Sequence, residues 1–318
     1  MSSFRTGLAL LAFLAISPAQ ASEEIPDQYP ASPLYSKPVE VIPGVWSAIG
    51  ATAPPTYENY GHNNNLSFIV TGDGVIVING GAAYNLAKAL HDEIATITSE
   101  PVKLVINENG QGHAMLGNSY WAQQGVPILA HEDALHEVEE QGFRALETHQ
   151  RVLAERAENT EIVPPGETFS DRKTIEMGNF TIEVLRLGPA HSPGDISVWL
   201  PQHKLAIAGD MAFHERMLPI FPDTDTAAWI ETWENAFEPL GALYVIPGHG
   251  HPTNMAQVRR YTHDYLVYLR GKVREHIDSG GGLDEAYYVD QTPYAHLDTY
   301  EELATKNAGR VFEQMEFE

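Results

Sequence analysis

The sequence predicts an α/β chain of four layers: two mixed β-sheets packed face to face, helices on both outer faces, and a helical extension at the C-terminus. Three observations carry this expectation. Apolar runs of strand length alternate with segments of helical period twice between residues 39 and 253. Tight turn signals, Gly72-Asp73-Gly74 and Gly178-Asn179 among them, join consecutive runs into hairpins, so the sheets cannot be purely parallel. From residue 254 onward only the helical period remains.

The elements follow in order. Residues 39–49 read as a strand broken at Pro43-Gly44. A loop over 50–65 holds Pro54-Pro55 and the run His62-Asn63-Asn64-Asn65. Strands over 66–71 and 75–79 flank the first hairpin turn. Gly80-Gly81 opens a helix with Leu86, Leu90, Ile94 and Ile97 on one face. A strand over 102–107, a short helix around Tyr120-Trp121 and a strand over 127–130 come next. Residues 132–159 form a long, charged helical stretch broken by Pro164-Pro165-Gly166. Strands over 174–177 and 180–187 form a pair, as do 196–200 and 205–208. A helix over 226–237 carries Trp229 and Trp233, read as core anchors, and 243–246 is a last strand. Val258, Thr262, Leu266, Leu269, Val273 and Ile277 place one long helix in the extension, and 300–315 a second.

Bulk properties narrow the function. Arg5, the apolar stretch 8–16 and Ala19-Gln20-Ala21 read as a signal peptide over 1–21, cleaved near Ala21, followed by an extended lead-in over 22–38. The expected destination is the periplasm or the medium. No later segment reads as a transmembrane span. A net charge of −24 repels nucleic acid and anionic lipid, so the expected partner is a small molecule, as substrate or ligand. With no cysteine, a metal must be held by imidazole, carboxylate, amide or water.

The chemistry-bearing segments all fall at strand ends. The segment 105–118 reads Val-Ile-Asn-Glu-Asn-Gly-Gln-Gly-His-Ala-Met-Leu-Gly-Asn. Gly188-Pro189-Ala190-His191-Ser192-Pro193-Gly194-Asp195, Ala208-Gly209-Asp210 and Pro247-Gly248-His249-Gly250 follow in that order. Together with 74–81, these segments resemble the metallo-β-lactamase superfamily over roughly residues 40–255. That family has Thr-His-x-His-x-Asp-His in its first loop. Here Asn109, Gln111, His113 and Ala114 stand at the His, His, Asp and His positions, and Asn79 replaces an early acid.

The resemblance implies the αββα sandwich over 39–253, with 254–318 as an extension packed on it. Carried over residue by residue, the family's first metal site leaves Asn109, Gln111 and His191. Two amides and one imidazole hold zinc poorly. The second site leaves His113, Asp210 and His249, the ligand count of a mononuclear catalytic site. The expectation is therefore at most one divalent metal, zinc by preference, on His113, Asp210 and His249 with His191 beside it. Glu108, if turned inward, is a candidate base, making Glu108, His113 and Asp210 the candidate catalytic groups. Asn109, Gln111, His214 and His62 are candidates for lining the substrate cleft, and His251 is expected to be exposed. The implied activity is hydrolysis of an ester, amide or lactam-type bond by hydroxide generated at the metal, without efficient β-lactamase activity. The alternative is a non-catalytic module on the same fold that binds a small molecule or a protein; a chain with no metal is also left open. Each candidate also has a purely structural role open to it, Asp195 and Asp210 as acceptors of loop amides above all.

Overall fold

The computed structural model describes Tyr29 and residues 32–318; the expected leader, with its cleavage site, lies outside the described residues. Two sheets stack against each other. The first holds seven strands in sequential order: β1 (Val39–Ile42), β2 (Val45–Ala48), β3 (Leu66–Val70), β4 (Val75–Ile78), β5 (Val102–Ile106), β6 (Ile128–His131) and β7 (Glu167–Phe169). β1 to β4 pair antiparallel, and β4 to β7 pair parallel. The second sheet runs in reverse order, from β12 (Tyr244–His249) through β11 (Leu205–Phe213), β10 (Ser197–Leu200) and β9 (Phe180–Leu185) to β8 (Arg172–Met177). Only its β11–β12 pair is parallel.

Alternation along the strands decides which layer each side chain enters. Ile76 and Ile78 of β4 face the second sheet, where they meet Ile182, Val184, Val198 and Ile207. Val75 and Val77 of the same strand face outward, onto Leu86, Leu90 and Ile94 of α1 (Tyr84–Ile97) and Trp121 of α3 (Asn118–Gln123). The strand therefore reads as an unbroken apolar run because both its faces are covered. Full burial of each such aliphatic side chain contributes about 1.5–3 kcal/mol.

The outer face of the second sheet is covered by the C-terminal part of the chain. Ala206, Ala208 and Val245 share a core with Trp229 of α5 (Thr226–Thr232), with Trp233, and with Leu266, Leu269 and Val273 of α7 (His263–Asp278). Val311 and Phe312 of α9 (Tyr300–Met315) complete that core. Trp229 and Trp233 are fully buried. The layer order is thus helix, sheet, sheet, helix, as the sequence predicts.

Four local expectations are corrected. The single helix over 258–277 is two, α6 (Met255–Tyr261) and α7, because Thr262 leaves helical geometry. The Thr262 hydroxyl accepts from the Phe213 amide at 2.8 Å and donates to the Phe213 carbonyl at 3.2 Å, so β11 captures it. The stretch 132–159 is helical as α4 (Glu132–Leu153) and ends before its proline break, where Ala154 takes a positive φ of 50° and a 3₁₀ turn follows. The edge strand β7 and the short α8 (Leu283–Ala286) lack a clear apolar period and escape sequence reading. β11 continues past 208 to Phe213, and Gly209 within it adopts φ +60°. Among the described residues no helix is long and apolar enough to cross a membrane.

Candidate metal centre

The parallel strands β5, β11 and β12 all end at one rim, and the loops leaving them bring the ionisable groups together. Asp210 lies on β11, His249 ends β12, His113 sits in α2 (Gly112–Met115) beyond β5, and His191 lies between β9 and β10. Ligand atoms of His113, Asp210 and His249 lie within 4.8 Å of one another, and all three residues are buried. Nε2 of His249 is 3.3 Å from Asp210 Oδ1, and Nε2 of His113 is 3.5 Å from Asp210 Oδ2. Gly248 makes the approach possible: a Cβ there would meet Asp210 Oδ1 at 2.5 Å.

The hydrogen bonds of His249 fix what its ring offers. Its Nδ1 lies 2.5 Å from the Asn63 carbonyl, an acceptor only, and 3.4 Å from Arg216 Nη1, a donor only; the much shorter contact favours the tautomer with the proton on Nδ1. In the neutral ring Nε2 then presents a lone pair to Asp210 Oδ1. That oxygen is buried and meets no hydrogen-bond donor among the described residues. Two acceptors facing each other in a dry site call for a shared positive centre. Two imidazoles and a carboxylate with this tautomer fit a divalent cation.

Charge and burial act together here. Burial opposes ionisation of Asp210, but His113, His249 and His191 outweigh it and hold its carboxyl well below the usual range. Burial works against the charged form of His113 too, yet Asp210 and Glu108 hold its imidazole above the ordinary value. His249 is lowered to about 4 by burial, with the buried Arg216 adding to the effect. Burial also lowers His191, against the pull of Asp210.

The remaining candidates separate clearly. Glu108 does turn inward: its Oε1 is 3.2 Å from His113 Nε2, and burial followed by Asp210 raises its carboxyl. His191 packs its ring against Phe213, Phe221 and Trp229, with Nε2 3.8 Å from Asp210 Oδ2, beside the three convergent donors. Asn109 is engaged as a donor. Its Nδ2 lies 3.0 Å from Asp195 Oδ1 and 3.3 Å from Asp210 Oδ2, while its Oδ1 accepts from the Gln111 amide. Ala114 offers only its carbonyl, which accepts from Gly80 N and Asn107 Nδ2. Gln111 is half-buried and lines a cavity of about 740 Å³ beside the centre. His214 is directed elsewhere, onto Tyr261 and the His251 carbonyl. His62 is fully buried and accepts from the Tyr35 amide through Nδ1 at 2.8 Å.

Three supports were not among the sequence candidates. Asn63 and Asn65 brace the His249 loop, Asn65 by donating Nδ2 to the carbonyls of Pro247 (2.9 Å) and Gly250 (2.7 Å). Glu137 of α4 accepts from Gly110 N at 2.7 Å and Gly194 N at 3.2 Å, tying the two loops that carry Asn109 and His191. It also places α4 over the cavity, whose wall includes Arg144, His149, Phe221 and Asp223. Asn79, at φ +71°, accepts the Glu108 amide at 3.0 Å. Of these the Asn run stood out in sequence as a loop rather than a brace, and Asn79 as the replacement of an early acid, while Glu137 did not stand out.

Burial of His62 has a consequence for acid stability. Its pKa falls from the ordinary 6.5 to about 3 because burial penalises the charged ring. The folded state therefore refuses a proton that the unfolded chain accepts. The stability this contributes is complete above 6.5 and is lost as pH falls toward 3, by about 3 kcal/mol at pH ~4. His62→Asn, which keeps an acceptor for Tyr35 N, is expected to flatten the fall in urea-unfolding free energy between about pH 7 and about pH 4. Equal slopes for the two proteins would contradict this.

Two face-to-face mixed sheets with helices on both outer faces, and an imidazole–carboxylate cluster at one rim, make an αββα sandwich. The family model described as the metallo-beta-lactamase superfamily matches residues 112–249, a span containing His113, His191, Asp210 and His249. A metallo-beta-lactamase type 2 from Bacillus cereus is 26% identical over 125 residues, 38% of this chain and 49% of that protein. The matched region thus spans about half the length of this curated relative. A solved metallo-beta-lactamase from Pontibacter korlensis superposes with a TM-score of 0.59 at 20% identity, covering 72% of this chain and 98% of the other. A metallo beta lactamase from Erythrobacter litoralis gives a TM-score of 0.57 at 17% identity, covering 73% and 96%. Residues 112–249 thus match the metallo-beta-lactamase superfamily model, and the chain shares the fold of the solved metallo-beta-lactamases.

Proposed function

We propose that this chain is an exported hydrolase that holds one divalent cation, zinc by preference, on His113, Asp210 and His249, and cleaves an ester, amide or lactam-type bond of a small molecule. The observation that carries the reading is the acceptor pair His249 Nε2 and Asp210 Oδ1, buried 3.3 Å apart with no donor on that carboxylate oxygen. A divalent ion there supplies Lewis acidity and lowers the pKa of water toward neutrality. The chain's own residues do the rest. Asn109 occupies the space between Asp195 and Asp210 with an N–H₂ group, which favours one ion over two. Phe221 and α4 wall the adjacent cavity and limit water, and Gln111 and Ser192 offer polar contacts within it. Export is supported by Arg5, the apolar stretch 8–16 and Ala19-Gln20-Ala21.

The replacement of three family ligands by Asn109, Gln111 and Ala114 favours a second reading, a binding module without turnover. Metal analysis of the purified protein, with a panel of activated esters and a chromogenic cephalosporin, separates the two. The expected outcome is one ion per chain, ester turnover abolished by a chelator, and slow cephalosporin hydrolysis. Two zinc ions per chain, or rapid cephalosporin turnover, would overturn the single-ion reading. One bound ion with no turnover of any substrate would establish the binding module.

A further inference from the structure

The helix α4 is tied down at both ends. Near its start Glu137 holds the loops of Asn109 and His191. Just past its end Arg156, in the 3₁₀ turn Ala154–Ala157, holds a third segment, the stretch ahead of β3. The Arg156 guanidinium carbon lies 3.6 Å from the centre of the Tyr57 ring and 3.7 Å from that of Tyr60. Both rings attract the cation through their faces, so one side chain clasps two aromatic groups. Its Nη1 also donates to the Tyr57 carbonyl, and the Tyr57 hydroxyl donates to Glu155 Oε1. Leu153, fully buried at the end of α4, packs where a Cβ on Gly61 would meet its Cδ1 at 3.3 Å.

The clasped stretch is short and internally tied. Asn59 Oδ1 accepts from Thr56 N at 2.8 Å and Gly61 N at 3.0 Å, and Asn59 Nδ2 donates to the Pro54 carbonyl at 2.9 Å. Tyr60 sits at φ 56°, a left-handed conformation that a bulky residue adopts only when its surroundings hold it there. His62 N then donates to the Asn59 carbonyl at 2.8 Å, and Asn63 N to the Gly61 carbonyl at 3.0 Å. A shift of Tyr60 is therefore carried to Asn63, three residues on, whose carbonyl lies 2.5 Å from His249 Nδ1. His62 and Asn65 fix the inner end of this stretch. Arg156 fixes the outer end.

We propose that Arg156 is a positioning residue for the cation centre. It acts through Tyr57 and Tyr60, clamping the stretch that sets the Asn63 carbonyl against the ring of His249. The inference rests on the cation site proposed above. It gives α4 two functions, as a wall of the cavity and as the outer anchor of a ligand's support.

The test compares the full chain with its Arg156→Ala and Arg156→Lys variants. Zn²⁺ affinity is read by calorimetry, and amide hydrogen exchange is read before Zn²⁺ is added. Arg156→Ala is expected to weaken Zn²⁺ binding about tenfold, the lower end of what an outer partner of a ligand contributes. Exchange at His62 N and Asn63 N is expected to quicken about tenfold while the strands of both sheets keep their protection. Arg156→Lys keeps a cation near the rings but loses the planar fork, and is expected to fall between parent and Arg156→Ala in both readouts. Faster loop exchange with parental Zn²⁺ affinity would reduce Arg156 to a surface tether and overturn the proposal. Unaltered exchange would overturn it too, as would exchange quickened across both sheets alike. Should Arg156→Ala fail to fold, Arg156→Lys decides in the same way. A parent chain that binds no Zn²⁺ would sink the cation site and this inference with it, an outcome distinct from Zn²⁺ bound equally well without Arg156.

Discussion

Asp210→Asn is expected to cost more than about a hundredfold in divalent-cation affinity, since even groups that only orient a ligand are worth 10–100-fold. Asp210 is the one residue that touches every imidazole of the centre: His113 at 3.5 Å, His249 at 3.3 Å and His191 at 3.8 Å. Burial opposes its charge, but those three rings outweigh it and hold its carboxyl far below the ordinary range. The amide removes that charge from a buried site while preserving shape. It also removes the first of the three groups that raise His113, leaving Glu108 and Asp195. Calorimetric titration with Zn²⁺ checks the expectation, and near-parental affinity in the variant would place the ion elsewhere.

The second large effect is expected far from the ligands, at Glu137. Glu137→Ala leaves Gly110 N and Gly194 N without their acceptor in the interior. Hydrogen bonds to a charged acceptor contribute about 1.5–3 kcal/mol each, and an abandoned buried donor costs a similar amount. A loss of about 3 kcal/mol in urea-unfolding free energy follows, together with weaker cation binding, because the loops holding Asn109 and His191 lose their common tether. The cavity would open as α4 lifts. Unchanged stability would show that water satisfies both amides and that α4 is not held by this carboxylate.

The layers were legible in the sequence for a definite reason. Strands buried on both faces write themselves as apolar runs, such as 75–78, and glycine-bearing turns such as 72–74 mark where the chain reverses. The strand-end segments with Asp210 and His249 were legible because the ends of the parallel pair β11–β12 converge whatever lies between them in sequence, and the connection of the antiparallel pair β9–β10 brings His191 to the same rim. What stayed hidden depends on contacts between distant segments. The break at Thr262 comes from β11, not from any helix-breaking residue. Glu137 is one acid among many on a charged helix, and only its burial distinguishes it from Glu139 and Glu140. Whether Glu108 faced inward could not be read from its neighbours, because it depends on the bare backbone of Gly209, a hundred residues away.

The brace made by Asn63 and Asn65 joins the stretch ahead of β3, in the first sheet, to the loop after β12, the last strand of the second. His113 likewise comes from one sheet's connections, and Asp210 and His249 from the other's. A cation bound there therefore clamps the two halves of the sandwich to each other and favours neither half alone. At a free-ion concentration of about 100 Kd, mass action adds about 2.7 kcal/mol to the assembled state. In a chain with no disulfide, ion supply would then become a control on how firmly the molecule stays closed, if the proposed cation binds.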